Sequence, residues 1–265
     1  MRHNNNSLND RMKNNYEERS KMFLTRRTPV IIRLDGKAFH TFTRGLKRPY
    51  DKVFHEAMNN TLKYLCENIQ GCKFGYTQSD EISLLLTDYD TLQTDSWFNY
   101  NVQKMCSVSA SMATLAFNKF FIDAYSDWMD SVAYFQDFDI EMDYIKTIEG
   151  KFNKAMFDSR CFNIPEDEVV NCFIWRQQDA TRNALQMLGQ CYFTNKQLYN
   201  KSQGEVQDML MLEKGINFNN MPTEFKRGVT CIRVNGKWVI DKECPIFTKD
   251  RDYMMRWKDN GSNDD

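Results

Sequence analysis

Val30-Ile31-Ile32-Arg33-Leu34-Asp35-Gly36 is the stretch on which the fold turns. It is rich in β-branched residues, follows Pro29 and ends in Asp-Gly, which reads as a strand running into a tight turn. From about Asp51 the period changes: Phe54, Met58, Leu62 and Leu65 recur at helical spacing, and Gly71 is the expected stop. Next, Cys72, Phe74 and Tyr76 alternate with other residues. The polar tip Ser79-Asp80-Glu81 then leads into Ile82-Ser83-Leu84-Leu85-Leu86. This is the pattern of a β-hairpin with two acids at its tip. Strand, helix, strand, strand is the opening of a ferredoxin-like antiparallel sheet with helices on one face, an α+β fold.

Outward from this core, a polar N-terminal segment, residues 1–24, is expected to hold a helix from about Asn9 to Leu24. Asp88 to Asp95 reads as a loop, and Ser96 to about Tyr125 as a long apolar helix through Met105, Met112 and Phe117. Phe157 to Phe162 reads as a short strand. Pro165 with Glu166, Asp167 and Glu168 starts a helix running to about Gly189, since proline and acids both suit a first turn. A strand pair turns around Asn235-Gly236, and Asp259 to Asp265 should fray. The expected division is a polar segment over 1–24, a main domain over 25–230, and a helical and β extension over 231–265.

The composition narrows the function classes. The hydrophobic fraction of 42% supports a core, and a disordered chain is excluded. No apolar run approaches a membrane span on direct reading, and the first residues lack the apolar stretch of a secretory signal. Asp10, Glu17 and Glu18 speak against a mitochondrial presequence, so a cytoplasmic location is expected. The eight cysteines show no Cys-x-x-Cys spacing and read as reduced thiols. With three histidines, a histidine-built zinc centre is nearly excluded, and any catalytic metal should have oxygen ligands. At a net charge of −1, attraction to nucleic acid must be local, and Lys226-Arg227 and the stretch from Arg44 to Lys52 are candidate patches.

Two constellations carry chemistry. Asp35 ends the first strand and Asp80 lies at the hairpin tip, and the topology brings these strands together. Two close carboxylates repel unless a proton or a divalent cation lies between them. Magnesium is the usual occupant when the substrate brings phosphates, and two ions can serve both the attacking hydroxyl and the leaving pyrophosphate. Gly36 would let its carbonyl approach the metal. Asp-Gly turns and polar hairpin tips are each common as plain structure, so the argument rests on both occurring in this element order. The second constellation, Arg176, Asp179 and Asn183, shares a helix face and is suited to phosphate or ribose oxygens, with intrahelical salt bridging as the equal alternative.

Here the residues resemble a known family. Arg33-Leu34-Asp35-Gly36-Lys37-Ala38-Phe39-His40-Thr41-Phe42 and Tyr76-Thr77-Gln78-Ser79-Asp80-Glu81 are similar to signatures of the tRNA-histidine guanylyltransferase superfamily. Trp175-Arg176-Gln177 with Asp179 looks like a third block, and Phe225-Lys226-Arg227-Gly228 like a weaker fourth. The resemblance implies a polymerase-palm-like core that extends RNA in the 3′-to-5′ direction. It gives Asp35, Asp80 and the Gly36 carbonyl to two magnesium ions, with Glu81 and Ser79 close by. It places Gly36, Lys37, Ala38, Phe39 and His40 at the nucleotide. Lys47 or Arg48 falls where the family has a triphosphate-binding lysine, the register being open because the loop is short. Arg176, Arg182, Asn183, Lys226 and Arg227 are the expected RNA contacts.

The implied reaction begins with ATP activation of a 5′-phosphate. The 3′-hydroxyl of an incoming nucleoside triphosphate then attacks and expels AMP. Enzymes that add the extra guanosine to tRNA-histidine carry His-Ile-Asn-Asn-Leu-Tyr-Asn after the third block. This chain has Thr181-Arg182-Asn183-Ala184-Leu185-Gln186-Met187 instead. That departure is similar to the branch that repairs 5′-truncated tRNAs against a template. The partners expected are tRNA, nucleoside triphosphates and further copies of the chain in a homo-tetramer, with no membrane. The rival readings are a dedicated tRNA-histidine guanylyltransferase, a nucleotidyl cyclase and a non-catalytic RNA-binding protein.

Overall fold

The stretch Val30–Gly36 forms β1 and lies between two partners in a six-stranded antiparallel sheet of order β4-β1-β3-β2-β5-β6. The computed structural model describes residues 7–134 and 142–261. The other strands are β2 Cys72–Gln78, β3 Glu81–Leu86, β4 Phe157–Asn163, β5 Val229–Val234 and β6 Lys237–Asp241. The first four give the order 4-1-3-2 of a ferredoxin-like sheet, and β5 and β6 extend it beyond β2. The expected boundary after residue 230 falls inside β5.

The helices are α1 Leu8–Met12, α2 Phe39–Phe42, α3 Lys52–Asn68, α4 Val102–Tyr134, α5 Met142–Glu149, α6 Val169–Tyr192, α7 Asn195–Leu198, α8 Gln203–Lys214, α9 Thr223–Arg227 and α10 Arg251–Met255. They cover both faces of the sheet, which corrects the one-face expectation. The strand sequences give the reason. Val30, Ile32 and Leu34 with Ile82, Leu84 and Leu86 face α3 and α4, while Ile31, Leu85, Phe74 and Tyr76 pack against α6 and the chain around α10. Continuous apolar strands have two hydrophobic faces, and both must be covered. A third cluster joins the C-terminal half of α6 to α7, α8 and α9 through Leu185, Leu188, Val206, Leu210 and Phe225.

Several boundaries move, each for a local reason. The N-terminal helical stretch runs from Leu8 to Ser20 through a π-turn and a 3-10 turn, ending before Leu24. Phe23 bridges Asn101 and the Leu24 amide donates to the Tyr100 carbonyl, so the chain turns extended there. The long helix begins at Val102, six residues later than Ser96. Phe98, Asn99 and Tyr100 hold left-handed backbone, and the Asn101 side chain accepts from the Lys104 amide as the N-cap. Its stretch Val102–Ser131, with mean hydropathy 1.2, is long and apolar enough by length and composition to cross a bilayer, contrary to the direct reading. Interspersed serines, asparagine and lysine hide that run from inspection. Its Met105, Ala113, Phe117 and Phe121 are packed into the core over the sheet. Finally, α6 continues past Gly189 to Tyr192. Of the tail expected to fray, residues 262–265 lie outside the described residues.

Candidate active site

Strand pairing sets the site. In the register, Asp35 of β1 stands opposite Glu81 of β3 on one side and Asp158 of β4 on the other. The Gly36 amide donates to the Asp80 carbonyl at 3.1 Å, tying the end of β1 to the hairpin tip. Ser79 takes left-handed backbone to make that tip. Three acids of the two motifs, Asp35, Asp80 and Glu81, are therefore gathered at one end of the central strands. Asp158 joins them from a strand whose chemistry the sequence reading passed over. The alternation Asp158, Arg160, Phe162, on the face that carries Arg33 and Asp35, is the signal that would have found it.

The electrostatics of the acids differ. Burial raises the carboxyl pKa of Asp80 to about 6, with the charge of Asp35 as the next cause. Asp35 is also raised, first by burial and then by Asp158, against the pull of Arg160, Arg33 and Arg176. Burial raises Glu81 as well, but Arg176 opposes it by charge and by hydrogen bonds. Arg176 Nε and Nη2 donate to the two Glu81 oxygens at 2.7 and 2.8 Å, and Nη2 also reaches Asp179 at 2.9 Å. Glu81 is thus compensated, whereas burial and a neighbouring acid both disfavour charge on Asp80.

Among the described residues there is no group of three or more His, Cys, Asp or Glu side chains disposed to hold a metal. Asp35 and Asp80 would supply two carboxylates, and the backbone nearby a carbonyl. That donor set suits magnesium, which binds through one or two carboxylates and completes its shell with substrate phosphates and water. It does not suit zinc. The residues present therefore fit the hard, phosphate-bringing ion expected.

The glycine before the turn has a packing reason as well. A Cβ on Gly36 would meet the Phe39 ring at 2.3 Å. Phe39 is itself buried among Phe42, Phe54, Phe117 and Phe157, so its side chain serves the core and only its backbone borders the turn. Removing such a ring costs about 3–5 kcal/mol. Ala38 adopts left-handed backbone, and Lys37, Ala38 and His40 are exposed on the same turn.

Against the hairpin tip lies a pocket of about 110 Å³. Gln78 and Ser79 of the hairpin tip, Lys47 and Arg48 of the basic loop, and Asn183 and Met187 of α6 line it, with Glu224 and His55 at the rear. The two basic residues have different duties. The Lys47 ammonium lies over the rings of Tyr144 and Trp128, at 4.6 and 5.4 Å from their centroids, so it is not free of packing as a loop residue would be. Arg48 forms no ion pair or hydrogen bond among the described residues and is exposed. His55 stacks on Tyr50, and burial lowers its pKa to about 4.

The expected RNA contacts separate into three groups. Arg176 is 7% exposed and turned inward onto Glu81, where it supports the hairpin tip and offers no open phosphate site. Asn183 belongs to the pocket just described. Arg182, Lys226 and Arg227 line a second, more polar cleft of about 520 Å³ between α6 and the α8–α9 region. Lys226 there is buried and donates to the Asn219 carbonyl at 2.5 Å. Arg182 pairs with Asp179 yet remains open to solvent, and the Arg176–Asp179 pair is the intrahelical salt bridge of the alternative reading.

A model of the tRNA-histidine guanylyltransferase family matches residues 9–165. The chain belongs to this family. It is a family of nucleotidyltransferases that act on tRNA. The tRNA(His) guanylyltransferase of Saccharomyces cerevisiae is 30% identical over 213 residues, spanning 75% of this chain and 80% of the yeast protein. Among solved structures, a bacterial tRNA(His) guanylyltransferase-like protein in complex with ATP has a TM-score of 0.82 at 44% identity. That match covers 95% of this chain and 99% of the other. A bacterial protein of the same description in complex with GTP has a TM-score of 0.73 at 39% identity, with the same coverages. The six-stranded sheet with helices on it is thus the family's fold.

Proposed function

We propose that this member adds nucleotides to the 5′ end of tRNA in the 3′-to-5′ direction, repairing truncated ends against the opposite strand. The observation that carries the reading is the half-buried pair Asp35 and Asp80 at the end of β1 and the hairpin tip, whose neighbouring Gln78 and Ser79 line a pocket with Lys47 and Arg48 on its wall. A phosphate-rich substrate needs cations on one side and metal-holding carboxylates on the other, and this end of the sheet offers both. ATP and GTP are the nucleotides held by the two bacterial relatives, and the same class is proposed here.

Asp35, Asp80 and the Gly36 carbonyl would hold magnesium, two ions in the full reading. Once bound it would neutralise phosphate charge and lower the pKa of an attacking hydroxyl. The chain's own residues do the positioning. Arg176 fixes Glu81 and with it the hairpin tip. Arg48 reaches triphosphate oxygens from the loop, and the Lys37–His40 turn frames the nucleotide. In the proposed sequence the RNA 5′-phosphate attacks the α-phosphorus of ATP and pyrophosphate leaves. The 3′-hydroxyl of the incoming triphosphate then attacks the adenylylated phosphate and AMP leaves. Neither step needs a protein nucleophile, so rate comes from placement and charge.

Two considerations favour template-dependent repair over guanosine addition to tRNA-histidine alone. Identity to the bacterial guanylyltransferase-like structure is 44%, against 30% to the yeast enzyme. The departing block is also well placed to matter: Asn183, Ala184 and Met187 line the pocket, and Thr181 and Arg182 line the polar cleft. The dedicated enzyme remains the second reading, favoured by the names of the curated relatives. A panel of 5′-truncated tRNAs differing in anticodon and opposing base separates the two. Repair predicts addition to several tRNAs with the nucleotide dictated by pairing. Guanosine added only to tRNA-histidine, whatever lies opposite, would remove it. The tetramer stays part of the proposal: Leu8, Met12 and Tyr16, four residues apart on the first helical stretch, are exposed apolar side chains that another copy would cover.

A further inference from the structure

Trp175 stands on α6 between Ile174 and Arg176, both buried, yet is itself 52% exposed. A large indole left half open is usually kept for contact, since burying it is worth more than most side chains. Its position is defined by two guanidinium groups. The Arg176 carbon Cζ lies 4.5 Å from the ring centroid and that of Arg33 lies 5.4 Å away. Arg176 is the residue that grips Glu81 beside Asp80, and Arg33 precedes Asp35 by two positions on the same strand face. The ring is thus linked through single side chains to both motifs of the acid site.

Trp175 also lines the 520 Å³ polar cleft, whose wall carries Gln178, Arg182 and Arg227. An aromatic face next to cations and amide groups is what single-stranded nucleic acid requires: stacking for the base, positive charge for the phosphates. Bases within a duplex already stack on neighbours at both faces. Only an unpaired base presents a free one. A strand facing a shortened 5′ end carries such bases until they are copied.

We propose that Trp175 is the stacking platform for an unpaired RNA base opposite the growing 5′ end, with Arg182 and Arg227 on the adjoining phosphates. This rests on the reading of RNA 5′ ends as substrate. The guanidinium contacts hold the ring in place before binding, so less freedom is lost when a base lands on it.

The test uses RNA hairpins with a 3′ overhang containing 2-aminopurine opposite a recessed 5′ end, and blunt hairpins of equal length. The wild-type protein should quench the 2-aminopurine. Trp175→Ala should weaken overhang binding by about tenfold or more and blunt binding by less than about twofold, with Trp175→Phe recovering most of the loss. The apparent affinity for ATP should stay within about twofold, since a ring that only braced Arg176 would move it. Arg182→Gln should weaken both RNAs and lower the salt slope by about one. Wild-type overhang affinity in Trp175→Ala, an equal loss on both hairpins, or a parallel loss of ATP affinity would each overturn the platform. A wild-type protein that quenches the overhang but adds no nucleotide supports the platform and removes the reaction instead.

Discussion

Four aspartates in this protein are wholly or partly enclosed, and they fall into two kinds. Asp88 is fully buried, and Asp51 nearly so. Asp88 accepts from Arg26 Nε at 2.5 Å and the Arg27 amide at 2.8 Å. Asp51 accepts from the Lys47 amide, from the Phe54 amide as N-cap of α3, and from the Tyr144 hydroxyl. Asp35 and Asp80 are less buried, but each has another acid as its nearest electrostatic burden and is pushed up in pKa. Deeper burial therefore does not mark the carboxylates proposed to act on substrate. The set of partners does. Asp51 and Asp88 have their acceptors filled by hydrogen-bond donors of the fold, while Asp35 and Asp80 each bear the charge of a neighbouring acid.

The strongest way to break this contrast is to remove each kind. Asp35→Ala or Asp80→Ala should lower nucleotide addition by about a thousandfold or more, since metal-held charge stabilisation is worth several kcal/mol. Melting temperature should stay level or rise as the repulsion is relieved. Asp88→Ala should do the reverse: about 2–3 kcal/mol of stability lost through the unpaired Arg26 and Arg27 donors, read by urea denaturation, with turnover per folded molecule unchanged. A large activity loss in Asp88→Ala at full stability would erase the distinction.

The basic loop sharpens the picture at smaller magnitude. Arg48→Ala should raise the apparent KM for triphosphate by about tenfold with little change in melting temperature, because it forms no ion pair or hydrogen bond among the described residues. Lys47→Ala should mainly cost stability, about 0.5–1 kcal/mol from the lost contacts with Tyr144 and Trp128. The opposite division would return the phosphate role to Lys47.

The smallest effect is a pH dependence. Asp80 has a folded pKa of about 6, above the roughly 3.9 of an unfolded aspartate, so its protonated form favours the fold. In chelator, its contribution is present below about pH 4 and lost as pH rises through about 6. His55, lowered to about 4, acts in the opposite sense and costs stability as pH falls below about 6.5. The wild type minus Asp80→Asn difference isolates the first. A flat difference across this window would contradict the uncompensated state of Asp80.

How far the sequence could be read follows from the same physics. The first strand, the hairpin and the strand at Phe157 were legible because alternation and turn residues are local signals, and their succession pointed to a ferredoxin-like sheet. The cover on the second face was legible in principle, in the continuous Val30-Ile31-Ile32 and Leu84-Leu85-Leu86 runs, and was missed by following one face alone. Asp35 and Asp80 could be named from motif and order. The inward turn of Arg176 could not, since it depends on Glu81, 95 positions away, reaching the same place. Trp175 likewise acquires meaning only when α6 is laid beside β1, whereas the alternation of Asp158, Arg160 and Phe162 was open to reading.

The central claim is that Asp35 and Asp80 hold magnesium for nucleotide addition, and one measurement addresses it directly. Incorporation of labelled nucleotide into a 5′-truncated tRNA with ATP is followed across a magnesium titration, for the wild type and for Asp80→Asn. The account predicts saturable magnesium-dependent addition in the wild type, and none at any magnesium concentration in a variant that melts at or above the wild-type temperature. Near-normal incorporation by folded Asp80→Asn, or wild-type incorporation that persists in excess chelator, would contradict it.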